Sequence, residues 1–235
     1  MICSATIKVV GDGEWWPALA DGMRHPWQAM LAGSGLTLHA PLDLTVDLAS
    51  MQAEFAALDA DLGRDGRAFM AEDGSWTSIA LVERGPASGR GIPTPAWERM
   101  PSVGRLVSRV GWNVAGCYLL RMPPHGVLPW HFEAQAPHLP ESRVLVPLHA
   151  PAGAVTLIGD EAAAYPEGVA WAGDFNFPHQ VENRSNHQRI VLLVDAVTAP
   201  EVLRLLPPAL TDAVDRRTRL ATDAANQLRR WRNGA

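Results

Sequence analysis

Lysine is almost absent from this chain, since Lys8 is the only one among 20 basic side chains. A phosphate-binding Gly-rich loop places a lysine beside its glycines, and a Schiff-base enzyme uses a lysine as its nucleophile. No lysine stands in either context here, so the sequence excludes both chemistries. The other basic residues are arginines, and this bias by itself indicates no function.

Cysteine is scarce as well, with only Cys3 and Cys117, and neither lies in a Cys-x-x-Cys pair. One disulfide is formally open to the chain, but two reduced thiols are the expected state in a reducing compartment. The sequence also lacks an apolar run of the roughly 20 residues that cross a bilayer. Its first residues lack the charged start and apolar core of a signal peptide. We therefore expect a cytoplasmic protein without a membrane partner.

An excess of positive charge is missing too, because the formal net charge is −5. A general nucleic-acid binder needs a basic face that displaces counterions, so this class is not expected. The 235 residues are 47% hydrophobic and 19% charged, a globular balance that fills a sizeable core. We predict a single domain over residues 1–235, with a core at about 74–198 and a helical tail at about 200–232.

The N-terminal half predicts a mixture of helices and strands. Met51, Phe55, Leu58 and Leu62 recur at helical spacing, and Gly and Pro concentrate in one segment that reads as a loop. Three tryptophans among Gly and Pro (Trp15, Trp16 and Trp27) are expected in loops or short helices packed on the core. The predicted elements are a strand at Ala5–Val10, a helix at Met51–Leu62, a strand at Trp76–Val82, a loop at Arg84–Pro95 and a helix at Val103–Val110.

The C-terminal half predicts a series of short strands. Apolar runs alternate with turn residues at even spacing, which is typical of a sandwich or barrel of the jelly-roll type. A helical pattern follows Pro200 and ends in several arginines, as a helix C-terminus favours. The predicted strands are Gly116–Arg121, Gly126–His131, Val144–Leu148, Ala154–Ile158, Val169–Ala172, Phe175–Val181 and Arg189–Val194.

A candidate metal site begins with His131-Phe132-Glu133. In a strand, residues i and i+2 point to the same face, so this imidazole and carboxylate project together. His179 lies 48 residues further on, inside Phe-Pro-His-Gln-Val-Glu-Asn. Two histidines and one carboxylate on one side of an ion form the facial arrangement of non-haem iron(II) enzymes. The alternative is that His131 and His179 are surface or satisfied core histidines.

Arg189 is the second candidate. A turn cluster at 183–186 separates it from His179, and apolar residues flank both sides. If this segment is a hairpin centred near Arg184, His179 and Arg189 are cross-strand neighbours that project into one cavity. A buried arginine needs an anionic partner, and a dicarboxylate that also chelates the metal would supply it. The alternative is a structural ion pair with Glu182 or Asp195.

These motifs resemble the aspartyl/asparaginyl β-hydroxylase-like 2-oxoglutarate oxygenases, which include bacterial proline hydroxylases. About 80 residues match in order and spacing. The matching segments are Pro124–Glu133, Arg143–Leu148, Tyr165–Gly168, Trp171, Phe177–Asn183 and Arg189–Asp195. The resemblance implies a double-stranded β-helix that is mainly β, with an N-terminal α/β portion and C-terminal helices.

The resemblance also implies roles for individual residues. His131 and His179 match the two iron-binding histidines, and Arg189 matches the arginine that grips the distal carboxylate of 2-oxoglutarate. Arg143 matches an arginine that contacts this co-substrate in some members. Glu133 is the expected third ligand and stands where the family usually has Asp or no carboxylate. The family often has His two positions after Arg143, and this chain has Leu145.

The expected activity is hydroxylation of a C–H bond of an amino acid, free or within a peptide or carrier-bound intermediate. Iron(II), 2-oxoglutarate and O₂ are the implied cofactor and co-substrates. One alternative is a cupin-type dioxygenase or isomerase that does not use 2-oxoglutarate, and the arginines Arg189 and Arg143 argue against it. Another is a jelly-roll binding protein without catalysis.

Overall fold

The computed structural model describes residues 24–62, 69–70, 76–86 and 89–234. The strand predicted at Ala5–Val10, together with Trp15 and Trp16, lies outside these residues. Trp27 lies in the first short helix and is buried, as expected. Among the helices of the described part, none combines the length and apolar character needed to span a membrane.

The helices lie in the first half of the chain and at its C-terminal end. They are α1 (Pro26–Ala32), α2 (Leu48–Leu62), α3 (Pro95–Glu98), α4 (Pro101–Val110), α5 (Pro200–Leu203), α6 (Pro208–Thr211) and α7 (Val214–Arg232). The predicted helices at Met51–Leu62 and Val103–Val110 are thus present, each with an earlier start. Proline begins α4, where its fixed φ suits the first turn, and Gly111 ends it in the left-handed region at φ +79°.

The strands are short and mostly antiparallel to their neighbours. They are β1 (His39–Pro41), β2 (Phe69–Met70), β3 (Thr77–Arg84), β4 (Gly91–Pro93), β5 (Val114–Met122), β6 (Val127–His131), β7 (Glu141–His149), β8 (Ala154–Ile158), β9 (Glu161–Ala163), β10 (Trp171–Gly173), β11 (His179–Asn183) and β12 (Arg189–Val197).

Two sheets contain the strands of the described part. The major sheet has the order β1-β10-β7-β12-β5-β3-β2, with β4 beside β3, and the minor sheet has the order β6-β11-β8-β9. From β5 to β12 the chain passes repeatedly from one sheet to the other, so most consecutive strands are not paired with each other. This alternation is the jelly-roll topology of the double-stranded β-helix, and it confirms the predicted fold class.

The two faces of the major sheet pack against different layers. Val144, Val146 and Leu192 are fully buried on the outer face, together with apolar residues of α2 and α4. The alternate residues, such as Leu145 and Val191, belong to a second cluster that includes residues of the minor sheet. The strict alternation along β7 and β12 therefore aims residues 143, 145, 189, 191, 193 and 195 into the space between the sheets.

The C-terminal helix α7 covers the minor sheet from outside. Its buried residues Ala221, Ala224 and Leu228 pack in the same cluster as Trp27 and Trp130. Trp130 precedes His131 on β6, so the ligand candidate points into the molecule while the tryptophan points toward α7. The predicted helical tail is therefore a structural layer behind the strand that carries His131.

Two predicted elements need correction. The loop expected at Arg84–Pro95 contains β4, which pairs with β3 through the backbone and so needs no apolar pattern. Gly91 permits this pairing, because a Cβ there would meet Val82 at 2.2 Å. The strand expected at Phe175–Val181 begins only at His179. The preceding residues form a turn, in which the amide of Phe177 donates to the carbonyl of Asp174 at 3.3 Å.

Candidate metal centre

His131 and His179 are directly opposite each other on neighbouring strands of the minor sheet. His131 ends β6 and His179 begins β11, so both imidazoles lie at one end of the sandwich. Their ring centroids are 4.0 Å apart. Cross-strand partners project to the same face of a sheet. The antiparallel register of β6 and β11 is therefore what brings together two residues 48 positions apart.

Backbone hydrogen bonds fix the orientation of both rings. The Nδ1 atom of His131 lies 2.7 Å from the carbonyl of Pro129, and that of His179 lies 3.0 Å from the carbonyl of Phe177. A carbonyl only accepts, so Nδ1 carries the proton and the Nε2 lone pair is left for a metal. Burial first, and then the neighbouring His179, lower the pKa of His131 to about 3. This ring is therefore neutral, as a ligand must be.

Glu133 completes a three-residue donor set. One potential ligand atom from each of His131, Glu133 and His179 lies within 4.8 Å of the others. The amide of Glu133 donates to the carbonyl of Phe175 at 2.9 Å, which ties the segment after β6 to the turn before β11. Its Oε2 is 3.5 Å from Nε2 of His179. Two imidazoles and a carboxylate on one side fit a divalent transition metal such as iron(II).

Arg143 holds the Glu133 carboxylate from the major sheet. Its NH1 contacts Glu133, while Nε and NH2 bind the two oxygens of Asp195 at 2.7 and 3.0 Å. Asp195 is the cross-strand partner of Arg143 and also accepts from Arg84 at 2.6 Å. Burial raises the pKa of Glu133, but the charge of Arg143 and the hydrogen bond to His179 outweigh it and hold that pKa well below its usual range. The third candidate ligand is therefore anionic.

Arg189 lies in the same interior but has no carboxylate partner among the described residues. Its NH1 donates to the carbonyl of Val155 at 3.2 Å, and its NH2 donates to the hydroxyl of Thr156 at 2.8 Å. The residue is only 8% exposed, and burial lowers its pKa to about 10. It remains protonated at neutral pH. A buried cation held only by neutral acceptors is ready to receive an anion.

The position of Arg189 relative to the histidines follows from the minor sheet. Its partner Thr156 pairs with Val181, and Ile158 pairs with His179, so Thr156 lies two residues along the sheet from the histidine pair. Two residues of strand span about 7 Å. This spacing is comparable to the length of an extended five-carbon dicarboxylate.

The hairpin that links His179 to Arg189 in the sequence-based interpretation is wrong. β11 pairs with β6 and β8, whereas β12 pairs with β5 and β7. Arg189 sits opposite Met122 in the major sheet and reaches across the interior to β8. The turn cluster connects two sheets instead of two paired strands. The suggested ion pairs of Arg189 with Glu182 or Asp195 are also wrong, because Glu182 binds Arg184 and Asp195 binds Arg143.

Sequence reasoning missed the residues that support the site. Asp195 is the main partner of Arg143, and Thr156 is the side chain that holds Arg189. The spacing of residues 189 and 195 was a signal for Asp195. They are an even number of positions apart in one strand, so both side chains lie on the inner face. The backbone acceptors at Pro129 and Phe177 leave no comparable mark in the sequence.

A family model for aspartyl/asparaginyl β-hydroxylases matches residues 46–199. The match covers more than half of the chain, which therefore belongs to this family. Membership confirms the resemblance of the motifs and supports an oxygenase. No curated protein matches the chain. The matched region contains β3 to β12 and all five candidate site residues, whereas α7 lies outside it.

A solved structure with a TM-score above 0.5 has the same fold. The non-heme α-ketoglutarate-dependent carbocyclase SnoK from nogalamycin biosynthesis superposes with a TM-score of 0.51 at 14% identity, covering 82% of this chain and 95% of that one. An oxidoreductase of the 2OG-Fe(II) oxygenase family from Burkholderia pseudomallei gives a TM-score of 0.49 at 17% identity, covering 74% and 90%. Similarity at this level of identity establishes the double-stranded β-helix and no particular reaction.

Proposed function

We propose that the protein is an iron(II)- and 2-oxoglutarate-dependent dioxygenase that hydroxylates a C–H bond of an amino acid, free or within a peptide or carrier-bound intermediate. The two histidines and Glu133 would hold the iron, and Arg189 would bind the distal carboxylate of 2-oxoglutarate. Family membership supports the reaction type. The name of SnoK describes that protein as dependent on α-ketoglutarate, which is another name for 2-oxoglutarate.

The observation that carries this proposal is the environment of Arg189. Its guanidinium is buried, charged and held only by a carbonyl and a hydroxyl among the described residues. An unpaired buried cation is strongly unfavourable. A metal-dependent jelly roll that does not use 2-oxoglutarate would therefore gain nothing from such a group. A dicarboxylate bound to the metal would relieve this cost with a bidentate, charge-assisted contact.

When bound, iron and 2-oxoglutarate supply the oxidant from O₂ and release succinate and CO₂. The residues of this chain contribute orientation and exclusion of water. The carbonyls behind His131 and His179 keep both Nε2 atoms directed at one point. Phe175 is 3% exposed and lies edge-on against His179, with ring centroids 5.0 Å apart, so it screens that ligand from solvent.

Arg143 has a different place in this scheme from Arg189. Its nitrogens already contact Asp195, Glu133 and Gln135. We propose that Arg143 also contacts the co-substrate, through NH1, the nitrogen that contacts Glu133. Arg143 would contribute less than Arg189 to binding of the co-substrate. Arg143 is already paired with carboxylates, whereas Arg189 binds only a carbonyl and a hydroxyl among the described residues.

The proposed substrate is an amino acid, free or within a peptide or carrier-bound intermediate. It follows from the family, whose name refers to aspartyl and asparaginyl residues. The segments that would select it are 85–95, which includes β4, and 134–142, which follows Glu133. Glu133 has 34% of its side chain accessible, against 2% for His179, so the substrate would approach from the side of Glu133.

Succinate release tests the proposal. The full-length protein is loaded anaerobically with iron(II) and supplied with 2-oxoglutarate, O₂ and a panel of free amino acids and short peptides. We expect succinate only with iron and 2-oxoglutarate, faster with one class of substrate, and none from His131→Ala or His179→Ala. An iron-dependent product without any need for 2-oxoglutarate would favour the cupin-type alternative. No iron binding at all would favour a binding protein.

A further inference from the structure

A chain of aromatic rings leads from His179 to the edge of the sandwich. The ring of Phe175 is 5.0 Å from that of His179, and Trp171 is 5.9 Å from Phe175. Tyr165 stacks on Trp171 at 5.2 Å with an interplanar angle of 28°. Trp171 and Phe175 are almost completely buried. These separations are short compared with the distances over which electrons move between aromatic side chains in proteins.

The chain of rings ends at a phenol that is hydrogen-bonded to an imidazole. The hydroxyl of Tyr165 lies 2.6 Å from Nδ1 of His39, and Nε2 of the same ring lies 3.7 Å from Glu161. Burial raises the pKa of Tyr165 to about 12 and lowers that of His39. The phenol is therefore protonated and the imidazole neutral at physiological pH. Nδ1 can accept the phenolic proton, and the 30% exposed Glu161 leads from Nε2 toward solvent.

We propose that Trp171 and Tyr165 form a redox relay that accepts oxidising equivalents arising at the metal centre, with His39 as the proton acceptor of Tyr165. The inference rests on the proposed function for its oxidant, which is the one formed there from O₂ when no substrate is bound. Such a relay would limit oxidative damage to the candidate metal ligands. Preventing side reactions is one function of a closed active site.

The step is a one-electron oxidation with transfer of one proton. Trp171 gives an electron to the oxidant and regains one from Tyr165. The phenolic O–H bond of Tyr165 breaks, and its proton forms an N–H bond at Nδ1 of His39. The products are a neutral phenoxyl radical, an imidazolium and an oxidant reduced by one electron. A small thiol or ascorbate can later return the electron, with the proton from His39.

The chain offers a matched control, because Tyr118 is its other tyrosine. Tyr118 is on β5 in the major sheet and is half-buried, as Tyr165 is. Burial raises the pKa of its phenol, and the nearby charges of Arg84 and Asp195 act on it as well. It therefore has a phenol of similar burial in a setting of fixed charges. Phenylalanine at either position keeps the ring and removes only the hydroxyl.

The first experiment uses flash photolysis of a ruthenium(II) tris-bipyridine complex, with a pentaamminechlorocobalt(III) salt as the sacrificial electron acceptor. This generates the one-electron oxidant ruthenium(III) in the presence of the full-length protein without added metal. Electron paramagnetic resonance then detects radicals in frozen samples. We expect a tyrosyl radical in the wild type and in Tyr118→Phe, and its loss in Tyr165→Phe and His39→Phe. A tyrosyl radical that survives in Tyr165→Phe would overturn the relay. Thermal melting identifies any variant that fails to fold.

The second experiment uses iron(II), 2-oxoglutarate and O₂ without substrate, and measures succinate and radicals in the same samples. We expect a Tyr165 radical in the wild type, and in Trp171→Phe its loss with succinate formation retained. Succinate without any radical in the wild type would overturn the relay and leave the proposed function intact. No succinate would overturn the proposed function, and the relay with it for lack of an oxidant.

Discussion

A single guanidinium separates the proposed chemistry from its alternatives. Arg189 keeps its charge in a buried setting, and Thr156 and the Val155 carbonyl orient it without neutralising it. A hydrogen bond to a charged group contributes about 1.5–3 kcal/mol. Arg189→Lys should therefore raise the 2-oxoglutarate concentration needed for half-maximal succinate formation by about one to two orders of magnitude, since a lysine offers one point of contact in place of a fork.

Two further variants make this prediction specific. Arg189→Ala should raise the requirement further, and Thr156→Val should raise it only slightly, because the guanidinium keeps its charge and its backbone acceptor. Iron affinity, measured by competition with a chelator, should stay the same in all three, since Arg189 is not a ligand. Equal dependence on 2-oxoglutarate in wild type and Arg189→Ala would contradict the assignment.

The Glu133 carboxylate can be tested separately from the histidines. Glu133→Ala should weaken metal binding, whereas Glu133→Asp should be tolerated, because it restores the carboxylate usual in the family. Loss of a supporting contact typically costs about 10–100-fold in metal affinity, so Arg143→Gln should weaken binding within that range. In a Glu133→Ala background the Arg143→Gln change should have no further effect on metal affinity.

Calorimetric titration of the metal-free variants with Mn(II) measures these affinities without turnover. Retention of wild-type affinity in Glu133→Ala would mean that the two histidines alone hold the metal, as in members of the family without a carboxylate. A large effect of Arg143→Gln on 2-oxoglutarate affinity in the same background would identify Arg143 as a contact of the co-substrate.

At the scale of elements, the sequence allowed most strands to be predicted but not their partners. The apolar runs at 116–121, 144–148 and 189–194 are strands, because alternation of side chains is a local property. Pairing in a jelly roll is not local, since consecutive strands enter opposite sheets. The expected hairpin around Arg184 failed for this reason. The two histidines could still be predicted as a pair of candidate ligands, because the family motifs fix their spacing.

The turn between β10 and β11 provides a prediction at this scale. A Cβ at Gly173 would lie 2.7 Å from Ile158 and 3.1 Å from Phe175. Gly173→Ala should therefore displace Phe175, which packs against His179, and cost about 1–3 kcal/mol of unfolding free energy through overpacking. Metal affinity should fall together with stability, because the turn sets the position of His179.

Gly33 supplies the control for this substitution. It follows α1 with φ −92°, and an added Cβ would meet nothing within 4 Å. Gly33→Ala should leave both urea unfolding and metal affinity close to those of the wild type. Equal behaviour of the two variants would show that the space around Phe175 does not control the metal centre.

At the scale of the whole molecule, α7 is joined to the ligand-bearing strands. Arg229 lies over the ring of Phe132 at 4.8 Å, and Arg232 donates to the carbonyl of Trp130. Arg217 is fully buried and donates to Asp174, just before the turn that leads to His179. The helical period of residues 214–232 predicts the helix, but a buried arginine in it has no local signature. Its partner lies 43 residues away.

The buried Arg217 of α7 lies beside groups that titrate. Asp174 faces Arg217, with an Nη1–Oδ2 distance of 3.3 Å, and His138, with an Nδ1–Oδ2 distance of 3.5 Å. Burial raises the pKa of Asp174 to about 6, against a smaller lowering by Arg217. Burial, and then Arg217, lower the pKa of His138. Asp212 contacts Arg217 from the exposed side at 3.3 Å.

These pKa values predict how stability depends on pH. Between pH 4 and 6, folded Asp174 retains a proton that the unfolded chain, with a pKa of 3.8, has lost. Its contribution is therefore present at low pH and disappears as the pH rises through about 6, a loss of up to roughly 3 kcal/mol. The contribution of His138 to stability changes with pH in the opposite direction. Because its pKa is lowered in the folded protein, the unfolded chain takes up this proton more readily, and stability falls as the pH is lowered.

Asp174→Asn should remove the Asp174 contribution and leave that of His138, whose pKa shift comes from burial and Arg217. Urea unfolding of both proteins from pH 4 to pH 7 measures the difference. We expect the unfolding free energy of the variant to rise relative to the wild type by up to roughly 3 kcal/mol across this window. A difference independent of pH would mean that Asp174 stays ionised beside Arg217, and that this buried ion pair holds α7 against the metal centre throughout the range.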